Sequence, residues 1–277
     1  MTDSLTGKVA VVTGAGRTAG IGAGIAKGLA AAGAAVVLSD VGQSDKHMPA
    51  DKIGSSTEMD AIIADIVAAG GRAIGVQCDV RDEAQVQQLM EAAVNEFGRL
   101  DILVNNAGIG YLMKPMVEVS KQEWTTVLDV NLTGAFLCTK HATIQMIKQG
   151  EGGRIINIAS QGGKSGFPHL PAYIASKHGM IGLTRSNAVE LGGDKITVNA
   201  ICPNHITTGL GAEQNEYFAA FMDKSVEQYL ADMAAKIPLG RPGLVTDIAN
   251  AAVFLSSEQA CYITGEAMNV SGGEEMH

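Results

Sequence analysis

Tyr173 and Lys177 stand four residues apart in Tyr173-Ile174-Ala175-Ser176-Lys177, a spacing that puts both side chains on one helix face. An ammonium beside a phenol favours the phenolate, lowering a pKa that is ordinarily near 10. Such a tyrosine can exchange a proton with a bound oxygen at neutral pH. Ser160 closes an apolar, β-branched run thirteen residues earlier. Its hydroxyl could bond the same oxygen and fix the reacting carbon. Taken singly, Ser160 reads equally well as a strand-end cap.

A second constellation lies near the N-terminus. Thr13-Gly14-Ala15-Gly16-Arg17-Thr18-Ala19-Gly20-Ile21-Gly22 follows an apolar run and precedes an alanine-rich helical segment. Glycines let the chain turn sharply and approach a pyrophosphate, and the helix N-terminus offers unpaired N–H groups to its charge. Eighteen residues past Gly22, a second apolar run ends at Asp40, where a carboxylate can accept from adenosine ribose hydroxyls and repel a 2′-phosphate. The pattern points to NAD.

These groups need a scaffold that brings strand ends together. Apolar runs alternate with segments of helical period, which predicts βαβ units and a doubly wound α/β Rossmann fold around a mostly parallel sheet of seven strands. The expected strands are Val9–Thr13, Ala35–Asp40, Arg72–Gln77, Ile102–Asn105, Arg154–Ala159, Thr197–Ile201 and Ala267–Val270. The expected helices are Gly22–Ala32, Ser56–Ala69, Glu83–Phe97, Lys121–Lys148, Tyr173–Leu191 and Asp247–Leu255. Nothing in residues 1–277 reads as a linker, so one domain is expected. Val41–Ser55 reads as a loop. Asn204–Lys236 reads as a variable substrate segment built from short helices, because a structureless loop of that length is unusual in a compact domain.

With 46% hydrophobic and 18% charged residues, the chain can bury a large core. A net charge of −9 argues against nucleic acid, which requires a basic face. No apolar run reaches the roughly 18 residues of a membrane span, and polar Met1–Lys8 lacks the apolar region of a signal peptide. Cys78, Cys138, Cys202 and Cys261 follow neither disulfide nor zinc spacing and read as buried thiols, so a cytoplasmic protein without a metal is expected.

On these residues the chain resembles the short-chain dehydrogenase/reductase family over essentially its whole length. Thr13-Gly14 and Gly20-Ile21-Gly22 match the ends of its Thr-Gly-x3-Gly-x-Gly cofactor motif, with five residues between Gly14 and Gly20 where the family has three. Asp79-Val80 corresponds to the family's adenine contact, and Asn105-Asn106-Ala107-Gly108 to its Asn-Asn-Ala-Gly element beside the adenosine. Pro203-Asn204 stands where the family has Pro-Gly, ahead of Ile206 and Thr208 at the positions that hold the nicotinamide carboxamide. The resemblance implies a catalytic tetrad of Asn131, Ser160, Tyr173 and Lys177. In it the Asn131 main-chain carbonyl holds a water that links Lys177 to solvent. Tyr173 and Lys177 also touch the cofactor. The family usually forms tetramers, and Ala249–Leu255 could face a partner subunit.

The expected activity is NAD-dependent interconversion of a secondary alcohol and its carbonyl. An NADPH-linked 3-oxoacyl reductase is the alternative, favoured by Arg17 and opposed by Asp40. A non-catalytic dinucleotide-binding regulator is the other, and the presence of Tyr173 and Lys177 counts against it. Gln161, Lys164, His169, Asn204, His205 and Gln214 are hydrogen-bonding groups in the substrate segments and favour a polyol or sugar over an apolar ketone.

Overall fold

The computed structural model describes residues 4–42, 53–110, 112–206 and 208–277. Seven strands form one sheet: β1 Val9–Thr13, β2 Ala35–Asp40, β3 Arg72–Gln77, β4 Ile102–Asn105, β5 Gly153–Ile158, β6 Ile196–Pro203 and β7 Ala267–Val270. Their order is β3-β2-β1-β4-β5-β6-β7, and every neighbouring pair is parallel. Every residue of β1, β4 and β6 is buried, as in a sheet covered on both faces. Edge strand β3 instead has no buried residue, its positions being exposed or half-buried.

The pleat sorts the apolar residues of β1 into two layers. Ala10 and Val12 join a core with Ile25, Leu29, Ile62, Ile248 and Leu255, contributed by helices α1 (Ile21–Ala31), α2 (Ser56–Ala68) and α9 (Val245–Ser256). Val9 and Val11 join the opposite core with Leu89, Leu137, Met146 and Leu191, from α3 (Glu83–Phe97), α5 (Gly134–Gln149) and α6 (Pro171–Leu191). Strand order reverses at β1, which has β2 on one side and β4 on the other. A crevice therefore opens beyond their carboxyl ends, the usual ligand position in an open α/β sheet.

Three expectations need revision. The segment expected as one helix over Lys121–Lys148 is α4 (Lys121–Leu128), a π-helical turn over Asp129–Thr133, then α5. The run Ala249–Leu255 offers only part of its surface to a partner, because Ala249, Ala252 and Leu255 are buried in the α1 core layer while Ala251, Val253 and Phe254 are partly exposed. Cys261 is exposed, whereas Cys78, Cys138 and Cys202 are buried free thiols. The substrate segment does contain short helices, α7 (Gly209–Phe221) and α8 (Val226–Lys236). Most of the expected loop over 41–55 lies outside the described residues.

Candidate active site

The crevice is lined at one end by the turn after β1. Helix α1 begins at Gly20, which is extended and makes no side-chain cap, whereas Ser55, Asp82, Ser120 and Ser225 cap α2, α3, α4 and α8 through their side chains. The first-turn N–H groups of α1 thus face the crevice beside Gly14, Arg17, Ala19, Gly20 and Ile21. Gly22 lies beneath them. A methyl group there would sit 2.5 Å from Asn106 Nδ2 and 2.6 Å from the Gly14 carbonyl oxygen. Asn106 braces this turn from β4: its Nδ2 donates to the carbonyls of Thr13 (2.9 Å) and Gly14 (2.8 Å). The Thr13 hydroxyl accepts from the N–H groups of Asn106 and Ala107, both at 3.1 Å.

The lengthened glycine loop has two anchors. Gly16 N–H donates to Asp40 Oδ2 at 2.8 Å, and Thr18 N–H donates to Glu58 Oε1 at 3.3 Å. Gly16 touches Asp40 so closely that a Cβ would come within 2.7 Å of the aspartate Cβ. Asp40 Oδ1 accepts from Val41 N–H at 2.9 Å, and Gly54 supplies a further N–H. Burial raises the Asp40 pKa; the bonds from Gly16, Val41 and Gly54 and the charge of Arg17 oppose the rise. A carboxylate has about four acceptor positions. Three N–H donors leave this one fixed at the crevice wall with acceptor capacity to spare. Val80 and Asp79 line the same wall, and Arg81 grips the Asp79 carboxylate from Nε (2.9 Å) and Nη2 (2.6 Å).

The reactive groups gather where β5 ends. Ser160 follows the strand in extended conformation, and its Oγ accepts from Gly162 N–H at 3.0 Å. Pro171 starts α6 at a position where its missing N–H costs nothing, which puts Tyr173 in the first turn and Lys177 one turn later. The Ser160 hydroxyl and the Tyr173 ring both lie against Gly162, each 3.4 Å from where its Cβ would stand. Lys177 Nζ donates to the Ile158 carbonyl at 2.7 Å and lies 5.6 Å from the Tyr173 ring centroid. Burial lowers the Lys177 pKa to about 8. Burial also raises the Tyr173 pKa, with the Ser160 hydroxyl opposing it, so the net direction is opposite to the lowering expected from the lysine. Desolvation of the phenolate is the largest influence on the ring and sets the direction.

Asn131 does not line the crevice. It sits in the π turn, and its side chain accepts from Ile109 N–H (2.8 Å) while donating to the Ile109 carbonyl (3.0 Å) and to Ser176 Oγ (3.1 Å). Ser176 in turn donates to the Tyr173 carbonyl at 2.7 Å. The amide thus ties the β4 loop to the catalytic turn of α6. Ser176 and Glu58 escaped sequence reasoning. Ser176 lies inside the Tyr-x3-Lys motif but has no part in its chemistry, and Glu58 reads as an ordinary first-turn acid.

The third wall comes from the end of β6 and from α7. Ile206 and Thr208 line the crevice, and the Thr208 hydroxyl caps α7 through Gly211 N–H at 3.2 Å. Asn204, the departure from Pro-Gly, donates from Nδ2 to the Ser271 carbonyl (2.9 Å) and to Glu274 (3.0 Å), fastening this loop to the C-terminal segment. Of the six polar substrate candidates, Asn204, His205 and Gln214 line the crevice, and burial lowers the His205 pKa. Gln161, Lys164 and His169 do not line it. Lys164 is spent on the Ala267 carbonyl at 2.6 Å, and His169 pairs with Tyr217.

This crevice fits a dinucleotide on structural grounds: an uncapped helix N-terminus over a cradle that side chains would fill, with a fixed carboxylate near one end and Ser160, Tyr173 and Lys177 toward the other. Comparison with known proteins agrees. A family model described as enoyl-(acyl carrier protein) reductase matches residues 14–275. A 3-oxoacyl-[acyl-carrier-protein] reductase from Synechocystis sp. is 40% identical over 274 residues, covering 99% of each chain. Carveol dehydrogenase from Mycobacterium avium, solved in complex with NAD, superposes with a TM-score of 0.91 at 32% identity, covering 99% of both chains. Actinorhodin polyketide ketoreductase with NADPH gives 0.88 at 34% identity, covering 100% of both. The crevice chemistry and these likenesses agree that the chain belongs to the short-chain dehydrogenase/reductase family of oxidoreductases.

Proposed function

We propose that this oxidoreductase is an NAD-dependent dehydrogenase of uncharged, hydroxylated compounds, interconverting a secondary alcohol and its carbonyl. The observation that carries the cofactor choice is Asp40. A carboxylate held by three backbone N–H groups cannot swing aside for a 2′-phosphate without abandoning them, and like charges so placed cost several kcal/mol. Asn204, His205 and Gln214 support a substrate with several hydroxyl groups, though three fewer side chains reach it than the six expected from sequence.

Bound NAD would supply the hydride acceptor. Residues at the α1 N-terminus, Asp40, Asp79, Val80, Asn106, Ile206 and Thr208 would hold it. In oxidation Ser160 orients the substrate hydroxyl, and Tyr173 takes its proton as hydride leaves the same carbon. Lys177, one helical turn on, would then relay that proton toward solvent. In reduction each transfer reverses, with Tyr173 as proton donor.

The relatives named as 3-oxoacyl reductases favour a second reading, reduction of a 3-oxoacyl thioester with NADPH. Absorbance at 340 nm separates the two, read with NAD and NADP for sorbitol and cyclic alcohols and with NADH and NADPH for a 3-oxoacyl thioester. Higher kcat/KM for the thioester, or for NADP, overturns the first reading. We also propose a homotetramer, supported by Phe136, Ile144 and Ile147 exposed on α5 and Val189 on α6. A 28.7 kDa particle in light scattering at micromolar concentration would contradict it.

A further inference from the structure

His169 stands four residues before Tyr173 yet does not face the crevice. Its Nδ1 meets the Tyr217 hydroxyl at 2.9 Å, and its ring lies edge-on to Phe221 with centroids 4.5 Å apart. Its carbonyl accepts from Lys114 N–H at 3.0 Å. Three walls of the substrate half therefore meet on one residue: the loop after β4, the loop after β5, and helix α7. The backbone there is left-handed, φ 64°, a conformation uncommon outside glycine that persists when its surroundings enforce it.

Helix α7 touches the body again one turn earlier. Gln214 Nε2 donates to the Gly110 carbonyl at 3.3 Å. Gly110 packs against the reactive ring so tightly that a Cβ would lie 3.0 Å from Tyr173 Cδ2 and Cε2. Residues 214, 217 and 221 recur at helical spacing, so one stripe of α7 carries both attachments. The stripe sets how far α7 stands from the phenol.

We propose that His169 and Tyr217 form a clasp that holds α7 over the substrate half, making both positioning residues for the dehydrogenase reaction. The proposal rests on the reading of the site as a dehydrogenase centre. Neither side chain lines the crevice, so their loss acts on substrate through α7 and spares the chemical step.

The test uses Tyr217→Phe, His169→Leu and His169→Asn in the full-length protein. Asparagine keeps a hydrogen-bonding group near the Nδ1 position and tolerates left-handed backbone. The probe is whichever of sorbitol, cyclohexanol and ethyl acetoacetate the unmodified enzyme turns over fastest with saturating cofactor. Tyr217→Phe and His169→Leu are each expected to raise substrate KM about 5-fold, the effect of one ordinary hydrogen bond, with kcat within about 2-fold. Cofactor affinity should not change, His169→Asn should restore most of the KM, and the double variant should be no worse than the more impaired single. Hydrogen exchange of the 212–221 amides should quicken in the two disruptive variants, and this readout needs no turnover. If exchange is unchanged the clasp is wrong, whatever the enzyme oxidises. If exchange quickens but no probe is turned over, the dehydrogenase reading fails and the clasp stands as a contact only. Unchanged KM, additive losses, or His169→Asn as poor as His169→Leu would also overturn the proposal.

Discussion

The two halves of the crevice are built from different material. The cofactor half is made of main chain: strand ends, the open first turn of α1, and side chains such as Asp40 and Asn106 that are themselves held by backbone groups. The substrate half is made of side chains reaching between distant segments, as in Gln214 to Gly110, 104 residues apart, and His169 to Tyr217, 48 apart. The first arrangement depends on short turns whose residue types are restricted. The second depends on how two helices, α7 and α8, settle on the body, and many sequences could provide that. Tyr173 stands where the halves meet.

The contrast makes predictions, and the largest concerns that meeting point. Tyr173→Phe keeps the ring against Gly110 and removes the proton donor. Turnover should fall by about 10²–10⁴ while cofactor affinity, measured by nicotinamide fluorescence, stays near that of the unmodified enzyme. Near-normal kcat would place the chemistry elsewhere.

Next in size is the cofactor half. Asp40→Asn removes the charge and keeps one acceptor oxygen, so only one side of the Gly16 and Val41 pairing survives. The ratio of kcat/KM for NADP over NAD should rise about 10²-fold, the equivalent of a few kcal/mol of relieved repulsion. An unchanged ratio would mean the backbone-built half does not set cofactor choice.

A smaller effect follows from the coupled pair Tyr173 and Lys177. Burial raises the first and brings the second to about 8, so the fully protonated pair loses one proton near pH 8. Oxidation needs the form with one proton fewer. Its kcat/KM should climb about tenfold per pH unit below 8 and level above it, whichever partner keeps the remaining proton. Reduction needs the protonated pair and should fall above pH 8. Identical profiles in both directions would refute the coupling.

The smallest effect tests the substrate half. Ser225 caps α8 in a capping box with Gln228. Ser225→Ala should cost about 1 kcal/mol of local helix stability, seen as faster amide exchange in residues 226–230, and leave cofactor binding untouched. A weakened cofactor affinity would show that the halves are not separable.

The same contrast explains what could be read without coordinates. Val9–Thr13 and Ala35–Asp40 were legible to the residue because both are buried apolar strands bounded by turns. The phosphate turn was legible because Gly22 admits no side chain. Asp129, Val130, Asn131, Thr133 and Gly134 are weak helix formers, but no proline interrupts Lys121–Lys148 and the apolar period alone does not tell a π turn from an α-helix. Lys164 and His169 carried the same polar signature as His205, and only tertiary packing decides which of them faces the crevice. Asn204 departs from the Pro-Gly of the family motif, and only the fold shows that its Nδ2 reaches Ser271 and Glu274.

That π turn has a cost and a consequence. An α-helix advances about 100° per residue, so one extra residue in a turn resets the bearing of everything beyond it. Deleting a single residue from Asp129–Thr133 would give a more regular helix and a better hydrogen-bond ladder. It would also rotate Asn131 away from Ile109 and Ser176, releasing the β4 loop from the catalytic turn. The most orderly helix for this segment and the most orderly active site are therefore incompatible, and the chain keeps the irregular one.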